Sequence, residues 1–380
     1  LGASYSAATG DLDRDGDIDL VVASLNEPVQ VYRNESAGNR VTLSLRGISS
    51  NRYGLGALIR AEWGSERKVS QLNPMTGFSS CNEPIVHFGI GEAKRIDYLE
   101  VTWPGGRQQA FYNVRAGAHY IMAESKGDAP EEDLILPKAL SPMFASVPLP
   151  DVVRHTENSF DDFALQPLLP NKLSRLGPGV SVGDVDGNGS DDFVVSSARN
   201  EVPHVHLNAE GGIRRHLLTA AVDDSTCEDL GTLLFDADRD GDLDIYIVSG
   251  GVEAERASEQ LRDRLYLNRG QGEFFKAPAD ALPEKLFSGS AVCAADFDRD
   301  GDLDLFVGGR LRRGEYPLSP GSSLLCNESG KAGEVLFVDR TEALAEGLEG
   351  CGMVTSALWS DANGDGWVDL LLAEEWGRIR

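Results

Sequence analysis

Residues 296–304 read DFDRDGDLD, and LFVGG follows at 305–309. Acids stand at alternate positions, glycine is sixth, and an apolar run begins after the ninth residue. The same frame recurs at 11–19 (DLDRDGDID), 184–192 (DVDGNGSDD), 236–244 (DADRDGDLD) and 361–369 (DANGDGWVD). Position one is Asp11, Asp184, Asp236, Asp296 and Asp361; position nine is Asp19, Asp192, Asp244, Asp304 and Asp369. Position three is Asp13, Asp186, Asp238, Asp298 and Asn363, and position five is Asp15, Asn188, Asp240, Asp300 and Asp365. Position seven varies as Asp17, Ser190, Asp242, Asp302 and Trp367, so its ligand is expected to be the backbone carbonyl. Glycine at position six suits a loop that turns through positive φ. Alternating short oxygen side chains, a glycine and a closing carboxylate make a cage for a hard cation. Ca²⁺ accepts six to eight such ligands at roughly 2.3–2.6 Å, whereas Mg²⁺ keeps its waters and Zn²⁺ seeks His or Cys. About five structural Ca²⁺ sites are therefore expected.

A helical EF-hand does not fit. Its loop closes with Glu at position twelve and runs into a helix. Here position twelve is Val22, Val195, Ile247, Val307 or Leu372, inside short β-branched runs that read as buried strands. The windows hold 22 of the 34 Asp residues and no Glu, a site composition rather than a solvated surface. Lys plus Arg number 35 against 61 Asp plus Glu, a net charge of -26, which disfavours nucleic acid and anionic membranes as partners. Hydrophobic residues at 41% argue against disorder, and 42 glycines point to a turn-rich, all-β chain. No apolar run approaches the ~20 residues of a membrane helix.

After each apolar run comes a turn and a strand ending in Asn: VYRN (31–34), VHLN (205–208), LYLN (265–268) and LLCN (324–327). The last four windows start 52, 60 and 65 residues apart, a period that suits propeller blades of about four strands. On these residues the chain resembles FG-GAP/VCBS repeats, the calcium-loop blades of integrin-like β-propellers. The stretch 39–124 has its own alternating strands, with Asn51-Arg52, Gly54, Gly56, His87-Phe88-Gly89, Gly91, Trp103-Pro104, Gly106 and Glu124. It resembles the ASPIC/UnbV domain. The expected division is therefore 1–36, terminal blade of a preceding propeller; 39–124, a separate small all-β ASPIC/UnbV domain; 125–175, linker and lead-in; and 176–380, the blades of an incomplete second propeller. On this reading the chain is an excerpt of a longer one.

Other chemistry is thin. GVSVG (179–183) matches a nucleophile-elbow string, but Ser181 precedes a metal-type loop rather than a helix, so no catalytic residue is expected. His204 and His206 share a strand face, and the paired Gly54–Gly56 and Gly89–Gly91 lack a dinucleotide setting, so no organic cofactor is expected. Five cysteines (81, 227, 293, 326, 351) form no C-x-x-C, and buried thiols and disulfides both stay open. Asn34 and Asn327 begin glycosylation sequons. Cages without a bidentate Glu suit the high Ca²⁺ outside the cytoplasm. The resemblance points the same way. The expected function is a non-enzymatic, extracellular or cell-surface scaffold (periplasmic or outer-surface in a bacterium) for adhesion or for protein or carbohydrate recognition. The competing reading is a propeller-based polysaccharide lyase or hydrolase. Asp302→Ala is expected to retain the metal and relieve repulsion, and Asp304→Ala to lose it.

Overall fold

A computed structural model describes residues 4–125 and 155–380, apart from 14, 26, 76, 78, 79 and 211, together with 145 and 146. The expected linker falls largely outside the described residues. The protein is all-β, with a few single helical turns. Five blade-like sheets follow the five windows. In blade one the strands are Ser4–Gly10, Asp19–Ser24 and Gln30–Arg33, with Ala145–Ser146 added at the edge. Blade two is Val180–Gly183, Asp192–Val195, His204–Ala209 and Gly212–Leu217. Blade three is Asp229–Phe235, Asp244–Ser249, Arg264–Asn268 and Phe274–Lys276. Blade four is Ser288–Ala295, Asp304–Leu311, Ser323–Asn327 and Phe337–Asp339; blade five is Met353–Ser360 with Asp369–Glu375.

Each acidic window joins the first strand of its blade to the second, antiparallel one, and its ninth residue opens that second strand. The loops are thus strand connectors, as the apolar runs imply. In blades three and four the first two strands are buried along their whole length, which is why they read as runs of apolar and small residues instead of alternating ones.

The first blade packs directly on the second. Ala8, Leu12, Val21 and Val31 share one core with Val180, Val182, Phe193 and Val195 of blade two. The closing Asn of each third strand repeats the link. Asn268 Nδ2 donates to Val185 O at 2.7 Å, Asn327 Nδ2 to Ala237 O at 2.9 Å, and Asn208 Nδ2 to Leu12 O. Each acceptor is position two of the preceding blade's loop. The step from blade one to blade two is therefore the same as the later steps, and the intervening residues are an excursion from one continuous run.

The inserted stretch forms two sheets. One has the order Gln108–Arg115, Arg95–Thr102, Leu58–Trp63, Glu66–Gln71, and the other Ala118–Ala123, Asn39–Arg46, Ile85–Gly91. Val41, Leu43, Phe88, Ile96, Leu99 and Trp103 fill the space between them. The stretch has its own sheets, but it is not free of the blades. Its loop around 72–83 reaches their inner strands: Ser80–Cys81 pairs in parallel with Val180–Ser181, Asn82 Oδ1 accepts from Thr9 N–H at 2.8 Å, and Asn73 Nδ2 donates to Trp359 O at 2.8 Å.

Candidate metal centres in the blade loops

Each window folds back through hydrogen bonds that its own residue types supply. The sixth-position N–H of Gly16, Gly189 and Gly366 donates to Oδ2 of the first Asp at 2.8, 2.7 and 2.9 Å. Gly16, Gly189, Gly241, Gly301 and Gly366 all have positive φ, as that turn requires. The position-five side chain accepts from the position-seven N–H in all five loops, at 2.8–2.9 Å.

The ninth-position Asp has a second task that its regular recurrence does not reveal. Oδ1 of Asp19, Asp192, Asp244 and Asp304 accepts the N–H of Asn34, Asn208, Asn268 and Asn327 at 2.7–2.9 Å. Oδ2 of Asp19, Asp192, Asp244 and Asp369 accepts the position-two N–H at 2.8–2.9 Å. In the fourth loop that second bond is missing, and Asp304 Oδ2 is buried with no hydrogen-bond partner. The ninth Asp therefore ties the loop to the Asn that closes the third strand in four of the five blades.

Carboxylate oxygens converge in four loops. Asp11, Asp13 and Asp15, and likewise Asp296, Asp298 and Asp300, place one oxygen each within 4.8 Å of one another. Asp184, Asp186 and Asp192, and Asp236, Asp238 and Asp244, do so through positions one, three and nine. Among the described residues, no such group of three acids forms at 361–369, where Asn363 takes the third position. Oδ1 of Asp11, Asp236 and Asp296 is buried without a donor in each case, the same atom of the same position in three loops. An orphaned buried carboxylate oxygen is costly, and a divalent cation would satisfy it. The donor set is oxygen only, which suits a hard cation. Burial, reinforced by neighbouring loop carboxylates, pushes Asp11, Asp19 and Asp192 up to about 7, Asp236 and Asp296 to about 6, and Asp304 to about 8.

Position seven has a role that the sequence reading missed. Asp302 Oδ1 forms an ion pair at 2.6 Å with Arg239, the fourth residue of the preceding loop, although the pair is not aligned as a hydrogen bond. Arg299, fourth in its own loop, stacks on the ring of Trp367, seventh in the next, 3.7 Å from the centroid. Asp17 is held instead by Arg40 of the inserted stretch at 3.0 Å. Asp302 is thus a latch to the neighbouring loop, and the expectation that removing it only relieves repulsion is corrected. The signal was available, since Arg recurs at position four in three windows.

The other candidates are structural. Ser181 is fully buried, with Oγ 2.7 Å from Thr232 Oγ1. His206 stacks on Phe193 at 4.3 Å, and burial pushes it down to about 3; His87 falls to about 4 for the same reason. All five cysteines are buried free thiols. Asn327 is buried by its contacts with the preceding loop, so its sequon is closed in the folded chain. Among the described residues no helix is long and apolar enough to cross a membrane.

Comparison with known proteins agrees with this layout. Residues 47–129 match the family model described as ASPIC and UnbV, and 236–307 match the FG-GAP-like repeat. Cartilage acidic protein 1 from Homo sapiens is 24% identical over 391 aligned positions, covering 97% of this chain and 56% of the relative. Its Mus musculus counterpart is 25% identical, covering 97% and 57%. The chain thus spans a little over half the length of these relatives. Among solved structures, a rhamnogalacturonan lyase covers 100% of this chain and 60% of its own at 12% identity, with a TM-score of 0.32. An Agrocybe aegerita lectin that recognises non-reducing terminal N-acetylglucosamine gives 0.29 at 14% identity, covering 89% of this chain and 67% of its own. Both superpositions are too loose to carry an argument. Residues 47–129 are thus similar to the ASPIC and UnbV family and 236–307 to the FG-GAP-like repeat, and over most of its length the chain is similar to cartilage acidic protein 1.

Proposed function

We propose that the protein is a non-enzymatic recognition scaffold, working outside the cytoplasm, whose blades are stabilised by Ca²⁺. The observation that supports this most is the repeated orphan: Oδ1 of the first Asp, buried and without a donor, in three loops. Asp11, Asp13, Asp15 and Asp19 would hold the first ion; the corresponding residues, with Asn188 and Asn363 as amide donors, would hold the others. Position seven would contribute its carbonyl. At 100 times its dissociation constant a bound ion adds up to about 2.7 kcal/mol, so several sites together rival the stability of a domain. The expected domain division belongs to this reading, with 39–124 as the ASPIC/UnbV unit and 176–380 as blades, now continuous with 1–36. The partner would be an extracellular protein or glycan. The enzyme alternative draws no support from Ser181 and His206, both buried, or from His87, half-buried on the strand Ile85–Gly91. Calorimetry with Ca²⁺ and Mg²⁺ tests the metal: Ca²⁺ should bind more tightly, and equal affinity would remove the assignment.

A further inference from the structure

A cavity of about 870 Å³ lies between the inserted stretch and the loop ends of blades one to three. That size is within the roughly 300–1,000 Å³ of small-ligand sites. One wall is set by the two-residue period of the strand Asn39–Arg46. Val41, Leu43 and Leu45 are buried in the core, and Arg40, Thr42, Ser44 and Arg46 line the cavity. On the parallel neighbouring strand His119 bridges Thr42 Oγ1 and Ser44 Oγ at 3.0 and 2.9 Å, with exposed Ile121 beside it. Arg40 is taken up by Asp17 and Asp15 at 3.0 and 3.7 Å. Arg46 and Arg52 line the same space without an ion pair among the described residues.

The far wall carries Asp11, Asp15, Asp184 and Asp242 from the loops. Glu83 also lines the cavity. It is 4% exposed, lends Oε2 to the Asp11 N–H at 3.1 Å, and leaves Oε1 with no hydrogen-bond partner. A ligand here meets two guanidinium groups without an ion pair, that of Arg52 lying over Gly241 of the third loop, hydroxyl and imidazole groups, an orphaned buried acceptor that calls for a hydroxyl donor, and apolar Ile85 and Ile121. Guanidinium forks bind carboxylate or sulfate. Loop carboxylates would oppose an anion until bound cations offset them.

We infer that this cavity binds a short acidic saccharide, with Arg46 and Arg52 on its anionic groups and Ser44, Thr42 and Glu83 on its hydroxyls. The inference rests on the scaffold reading and gives that scaffold its ligand class. The test is calorimetry on the full chain in excess Ca²⁺, with Ca²⁺ content measured in the same sample. The probes are a tetragalacturonate, a sulfated chondroitin tetrasaccharide, neutral cellotetraose and hexaglutamate. One or both acidic tetrasaccharides should bind, the two arms separating carboxylate from sulfate recognition. The combined R46Q and R52Q variant should bind at least tenfold more weakly with its melting temperature unchanged, since both side chains are exposed. Inert acidic saccharides, equal binding of cellotetraose, hexaglutamate binding in their place, or full affinity in the variant would each overturn the inference. If those failures occur with Ca²⁺ bound, the scaffold reading survives. Saccharide binding without Ca²⁺ uptake would remove the structural-metal reading and the need for cations to offset the loop carboxylates, and only its loss in the R46Q and R52Q variant would keep the cavity assignment.

Discussion

Asp302 and Asp304 sit two residues apart in one loop, and their surroundings separate them. Asp304 combines a buried oxygen without a donor, Oδ2, with an oxygen that holds the Asn327 N–H, Oδ1. Asp304→Asn keeps an acceptor for that N–H and removes a charge, so the metal-free protein should lose less than about 1 kcal/mol. Its Ca²⁺ uptake should fall by one ion per chain, measured by calorimetry. Asp302→Ala should keep the full Ca²⁺ count but leave Arg239 only its bond to Ser329 O, at a cost of about 1 kcal/mol for a partly exposed pair. The combined Arg239→Ala and Asp302→Ala change should cost less than the sum of the single changes in urea unfolding. The turn made by positions one and six was legible because one window contains both partners, whereas the hold of the ninth Asp on the third-strand Asn was not, because that Asn lies outside the window. The latch was marked in the sequence only by the Arg that recurs at position four, because its partner lies in a different loop some 60 residues away.

At the scale of the element, the loops link stability to pH. Asp11, Asp19, Asp192, Asp236, Asp296 and Asp304 have folded values of about 6 to 8 against an ordinary value of 3.8. Between those limits the folded state keeps protons that the unfolded chain has released. Stability in EDTA should therefore fall as pH rises from about 4 to about 8. Ca²⁺ prefers the ionised carboxylates, so the gap in melting temperature between Ca²⁺ and EDTA should widen from pH 5 to pH 8; a constant gap would contradict the shared site. Between blades, Asn268 donates to Val185 O and Leu243 O at 2.7 and 3.1 Å from a buried position. Asn268→Ala should cost about 1–3 kcal/mol in urea unfolding by leaving those carbonyls unpaired. The strands themselves were legible from their apolar runs. The two-residue strand Ser80–Cys81 was not, because QLNPMTGFSSCNE has no periodicity and its pairing exists only against blade two.

For the whole molecule, the sequence spacing suggested two propellers with a domain between them, and the packing joins all five blades into one run. A start-to-start spacing of 173 residues between the first two windows hides that continuity, because the Asn208 and Phe193 contacts that close it are tertiary. The inserted stretch touches the blades at its 72–83 loop, at Arg40 and at Tyr53, and its buried side chains join the apolar cluster of blades three to five, but none of its own strands is connected by an acidic loop. Hydrogen exchange after chelation should therefore accelerate first in the second strands of the blades and last around Leu43, Ile96 and Trp103. The most direct test of the metal-stabilised scaffold is the number of Ca²⁺ ions bound by the full chain, measured with its melting temperature before and after EDTA. The five loops predict about five ions and a marked fall in melting temperature on chelation; no uptake at millimolar Ca²⁺, or an unchanged melting temperature, would contradict it.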